Sequence, residues 1–213
     1  MIKKITFRRD KKKQIMEVDV NKEFNFDILN IYQNDKDIKN IIMENHDKNN
    51  NNGRTIGEVG CRFIAGARSI IKHSFLTIKE LDNLADEGDW KTDSWVDGGK
   101  TMVANVINFS TLITKVNERL NSKLKYDIYK NYDSYFKQLL IDKLNNCDSP
   151  SIKMPHLSIN GWDHFINVDG YLLTKNDELF IRMKDTYKEY DGYDGYYCLW
   201  TDPKYYEFIY KGK

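Results

Sequence analysis

The chain has 213 residues, 40% of them apolar, and 33 Lys and Arg against 32 Asp and Glu give a net charge of +1. That length holds one domain, or a domain with an appendage, and enough apolar residue for a core. The near-neutral balance excludes wholesale electrostatic binding to nucleic acid and leaves room for a local patch only.

One such patch opens the chain: Lys3, Lys4, Arg8, Arg9 and Lys11 to Lys13. It reads as a solvated, partly disordered leader. Asp10 and further lysines stand where the apolar region of a secretory signal belongs, so none is expected. No apolar run approaches membrane-spanning length. Cys61, Cys147 and Cys198 are too few and too scattered for a disulfide framework, and they lack the paired spacings of a zinc site. A reduced, cytoplasmic protein without cofactor or metal is the expectation.

Gln14 to Val20 alternates as a short strand. Residues 24–44 read as partly helical, with Asn34-Asp35 interrupting, and an Asn-rich polar loop runs from Asp47 to Gly53. The loop is too short to mark a domain boundary, so a basic N-terminal segment over 1–53 and a main domain over 54–213 are expected to form one compact unit. From Cys61 onward, Phe63, Ile64, Ala67, Ile70 and Ile71 form one helical stripe, with Gly60 suited to the turn into it. Cys61 then lies in the first turn, where unsatisfied N–H groups and the helix dipole favour a thiolate. A buried cysteine at a helix start also serves simply as a small apolar residue. Thr77 caps a helix over Ile78 to Ala85, with Glu80 completing a capping box and Gly88 beyond the end.

Trp90 to Gly99 reads as a loop whose two tryptophans, Trp90 and Trp95, either anchor it to the core or wall a groove. Helices are expected over Lys100 to Leu120 and Asp127 to Asn146, the second stopped by Asp148-Ser149-Pro150. Gly98-Gly99-Lys100-Thr101 has the end of a phosphate-binding loop, but Asp93 stands where its first glycine belongs, and it is read as coincidence. Ile152 to Leu157 is extended. Trp162 to Leu173 and Glu178 to Lys184 form a hairpin around the polar turn Thr174 to Asp177. Tyr196 to Trp200 and Tyr205 to Tyr210 are the last strands. A helical N-terminal half before a C-terminal antiparallel sheet makes the fold class α+β.

His164 starts the first strand of the hairpin, and Asp185 follows the end of the second. A carboxylate in that place can fix an imidazole's tautomer and stabilise its protonated form. Asp163 and Asp169 are weaker orienters, because on a strand they face away from His164. His46, His73 and His156 read as surface or capping residues.

The order Cys61, His164, Asp185 resembles that of papain-like cysteine peptidases, in particular the bacteriocin-processing C39 branch. Gly60-Cys61 heading a helix, with the helix around Leu76 to Ala85 after it, is similar to the nucleophile segment of that branch. Asp163 to Tyr171 is similar to its histidine strand, and Phe180 to Asp185 to the strand ending in the orienting aspartate. The likeness spans roughly residues 55 to 190 and leaves Trp90 to Asn146 unexplained. It departs at Arg62 and Phe63, where the family carries small residues after the nucleophile. It departs again in having no glutamine between Gln33 and Cys61 to donate to the oxyanion, a role open to Asn51, Asn52 or Thr55 but not to an ionised Glu58.

The resemblance implies a papain-like fold, with a nucleophile helix packed on the sheet, and a Cys61–His164–Asp185 triad cleaving a peptide or amide bond. A peptide or protein is then the partner. The alternative is an inactive fold of the same kind that binds a protein or ligand, with Trp90, Trp95 and the tyrosine-rich tail as its surface.

Overall fold

The alternation of apolar and polar residues begins much earlier than Gln14: Ile5 and Phe7 are already spaced for one face of a strand. In the computed structural model they lie in β1 (Ile2–Arg9), followed by β2 (Lys12–Asn25). Then come α1 (Ile56–Val59), α2 (Cys61–Ser74), α3 (Ile78–Asp86), β3 (Asp93–Asp97), β4 (Lys100–Ala104) and α4 (Phe109–Leu120). The chain continues through β5 (Leu124–Tyr129), α5 (Ser134–Asn145), β6 (Ser151–Pro155), β7 (Asp163–Thr174), β8 (Leu179–Lys184), β9 (Tyr197–Leu199) and β10 (Tyr206–Lys211). The structure describes residues 1–9, 12–41, 55–86, 93–97, 100–104, 109–155, 163–188 and 192–212. His46, Asn51, Asn52, Gly88, Trp90, Gly98, Gly99 and His156 lie outside them. The chain divides into two compact units.

The first unit comprises residues 1–30 and 127–208 and is built on a closed, five-stranded mixed barrel. Its ring runs β1-β2-β7-β8-β9 and back to β1. All neighbours are antiparallel except β1 and β9, which meet in parallel at Phe7 and Tyr197. Closure removes the free edges that an open sheet of this size would present. Ile5, Phe7, Val18, Val20, Leu172, Phe180 and Tyr197 form the barrel's core, with Phe7 meeting Phe180 edge to face. Two devices help to bend the ring. β2 shifts register between Val20 and Lys22, and β7 bulges between Val168 and Gly170. Gly170 is required there, because a Cβ would stand 2.6 Å from the Phe24 carbonyl oxygen.

This architecture overturns the papain-like α+β expectation. Among the described residues strand exceeds helix, and those of the stretch 24–44 are not helical. The basic patch is no solvated leader: β1 inserts Ile5 and Phe7 into a core and buries Arg8. The residues expected to start a helix at Phe24 instead end β2, where Phe24 packs beside Tyr171. Beyond them Asp35 caps a turn by accepting from the Tyr32 amide (2.8 Å). The tyrosine-rich tail packs inward too. Tyr132, Phe136, Tyr206 and Phe208 make a ring cluster with Trp200, and Tyr206 and Phe208 are fully buried.

The second unit comprises residues 31–126 and 209–213. Phe63, Ile64, Ala67 and Ile70 of α2 pack with Leu81 and Leu84 of α3 and with Leu112 and Val116 of α4. Gly66 lets α2 approach closely, since a Cβ there would overlap the Phe109 ring. Of the helix expected over Lys100 to Leu120, Phe109–Leu120 is helical, while Lys100–Ala104 pairs with β3 as a hairpin. α5, in the first unit, likewise starts late, at an Asp133 cap that accepts from the Phe136 amide (2.8 Å), because β5 takes the residues before it.

Candidate active site

The expected hairpin of β7 and β8 forms, with Leu173 opposite Leu179 and Asn167 opposite Lys184. His164 is buried near the start of β7, opposite Met154 of β6. The chain leaving β8 is tied back to β7 by Thr186, whose hydroxyl donates to the Phe165 carbonyl (3.0 Å). That tie holds Asp185 beside the imidazole. His164 Nε2 lies 2.8 Å from Asp185 Oδ1, and Asp185 is wholly buried.

The carboxylate is well supplied with donors. Oδ1 also accepts from the Tyr187 amide and Oδ2 from the Tyr193 amide, each at 3.0 Å. Burial pushes the Asp185 carboxyl up, but the hydrogen bond and charge of His164, with the two amides, outweigh it and hold the group below its ordinary value. An ionised Asp185 can only accept, so Nε2 carries the proton and Nδ1 carries the lone pair. Tyr193 covers the pair, with its ring stacked on the imidazole at 6.3 Å between centroids and 21° between planes.

The other two aspartates of β7 take different roles. Asp163 bridges Lys153 (2.8 Å) and Lys204 (2.7 Å). Asp169 occupies the bulge, buried, with Oδ2 3.4 Å from Arg182 and Oδ1 without a hydrogen-bond partner among the described residues. Burial pushes its carboxyl up to about 6 against the pull of Arg182 and Lys184. His73 sits in the last turn of α2.

Cys61 is the first residue of α2 in the second unit and is half-buried. Gly60 ahead of it closes the turn from α1 by donating to the Ile56 carbonyl (2.7 Å), with no side-chain cap. Arg62, which departs from the C39 pattern, anchors the helix start. It lies over the Phe109 ring at 5.4 Å and donates to the Tyr126 hydroxyl (3.4 Å). Gln33 is far from Cys61 along the chain. The fold returns it to the segment before Cys61, where its amide donates to the Gly57 carbonyl (3.0 Å).

Cys198 is fully buried in β9, and burial pushes its thiol well up, so it packs as an apolar residue. Among the described residues no group of His, Cys, Asp and Glu is placed to hold a metal ion. None of the described helices is long and apolar enough to cross a membrane. No family model, curated protein or solved structure matches the chain.

Proposed function

We propose that the protein is a thiol hydrolase acting on a peptide or amide bond, with His164 as general base, Asp185 as its orienter and Cys61 as nucleophile. The observation that carries this reading is the buried His164–Asp185 pair. A carboxylate that accepts from two amides and an imidazole at once is built to hold one tautomer in one orientation. The start of α2 supplies the thiol with a helix N-terminus. Similarity of residue order to the C39 peptidases suggests the chemistry, and the barrel replaces the fold that similarity implied.

In this reaction His164 Nδ1 takes the proton of the thiol nucleophile, and the thiolate adds to the acyl carbon. The imidazolium, stabilised by Asp185, returns that proton to the leaving amine as the C–N bond breaks. Water, activated by the same imidazole, then cleaves the thioester and regenerates the thiol.

The test is the pH dependence of iodoacetamide labelling, resolved by cysteine with mass spectrometry, in wild type and His164→Ala. Rapid labelling of Cys61 below pH 7 that slows in the variant supports a thiolate–imidazolium pair. Equal reactivity in both proteins eliminates it, and the barrel is then better pursued as a binding module.

A further inference from the structure

Arg8 belongs by position to the N-terminal basic patch, yet it is only 8% exposed. Period-2 geometry explains where it goes. Phe7 points into the barrel core, so Arg8 leaves on the outer face of β1. There it meets the turn between β8 and β9. Its guanidinium donates to the Gly192 carbonyl and lies over the rings of Tyr193 (5.7 Å) and Tyr196 (5.3 Å). The same turn is tied to β8 by Gly195 donating to Met183 and Met183 donating to Tyr196, both at 2.8 Å. Gly195 has φ +75°, which suits glycine.

Tyr193 joins this turn to the site. Its amide donates to Asp185 Oδ2, and its ring stacks on His164. We propose that Arg8 is a positioning residue for the His164–Asp185 pair, clamping the Gly192–Tyr196 turn so that Tyr193 covers the imidazole and donates to the carboxylate. Arginine suits this task, since its planar fork can bond a carbonyl while stacking on rings, which lysine does poorly. Releasing the clamp frees the Tyr193 amide and opens the Nε2–H···Asp185 bond to solvent exchange.

The catalytic meaning of the clamp rests on His164 being the base, while the clamp itself is read out at His164 and Tyr193 and not at Cys61. An unreactive Cys61 would remove the hydrolase reading and leave this one intact. The experiment is NMR on the full chain: the downfield His164 Nε2–H proton, assigned by its loss in His164→Ala, and hydrogen exchange of the Tyr193 amide. In Arg8→Gln the proton resonance should broaden beyond detection. The Tyr193 amide should exchange about tenfold faster, the order set by one charge-assisted hydrogen bond. Arg8→Lys should restore both only in part. Tyr193→Leu, which keeps the backbone donor and removes the ring, should also lose the resonance, and it serves if Arg8→Gln fails to fold. A sharp Nε2–H resonance in a folded Arg8→Gln or Tyr193→Leu protein overturns the proposal.

Discussion

His164 Nε2 and Asp185 Oδ1 are 2.8 Å apart, at the start of one strand and just past the end of its hairpin partner, and both side chains are buried. The contact depends on the hairpin register and on Thr186 fastening the chain after β8. It leaves an ionised carboxylate inside the protein that only its donors make tolerable.

Asp185→Asn, with its Nδ2 in the place of Oδ2, sets a donor against the Tyr193 amide and leaves that amide without its acceptor. Stability should fall by about 1–3 kcal/mol in urea titrations at pH 7. The Asp185 pKa is depressed in the folded state. Its contribution is therefore present above the unfolded value near 3.8 and lost as pH falls through the folded one. The penalty of the substitution should be constant above about pH 5 and shrink in acid. A penalty that grows on acidification would contradict this assignment.

Asp169→Asn should act with the opposite sign. Its folded carboxyl titrates at about 6, above the unfolded group, so ionisation costs the folded state stability as pH rises through that value. The variant should be more stable than wild type by up to about 3 kcal/mol at pH 8, with the gain vanishing below pH 4. Paired thermal melts across that range would show it.

Gly170→Ala tests the closure of the barrel. The added methyl meets the Phe24 carbonyl and Asn25 of β2, both across the seam between β2 and β7. Forced separation there should cost about 1–3 kcal/mol or more, and amides of β2 should lose exchange protection ahead of those of β8. An unchanged melting curve would argue against the seam.

Cys198 should stay unlabelled by thiol reagents in the native protein and react only on unfolding, because it is buried within β9 and its thiol is pushed up. Cys61 and Cys147 are both half-buried. Mass-spectrometric mapping after a short native pulse should therefore find Cys198 unmodified.

The elements legible in the sequence are those whose signals sit within a few residues. The Thr77–Glu80 capping box forms as written, with each amide bonded by the other's side chain (2.7 and 3.2 Å). The helix from Cys61, the hairpin around Thr174 to Asp177 and the last two strands are equally local. Asp185 as partner of His164 is legible because a hairpin brings the start of one strand near the end of the next.

What is not legible depends on residues far apart in the chain. Nothing near Phe7 announces its parallel pairing with Tyr197, and nothing near Asn25 announces Gly170 across the seam. Those pairings turn an N-terminus that reads as a charged leader into two barrel strands. They also carry Arg8 to the turn that covers His164. Gln33 shows the same limit, its amide lying 3.0 Å from the Gly57 carbonyl across a separation that a linear scan treats as distance. Local propensity and patterning specify helices, turns and hairpins because their contacts are near in sequence. Barrel closure and the surroundings of the imidazole are set by long-range burial, and their partners are chosen only when the chain folds.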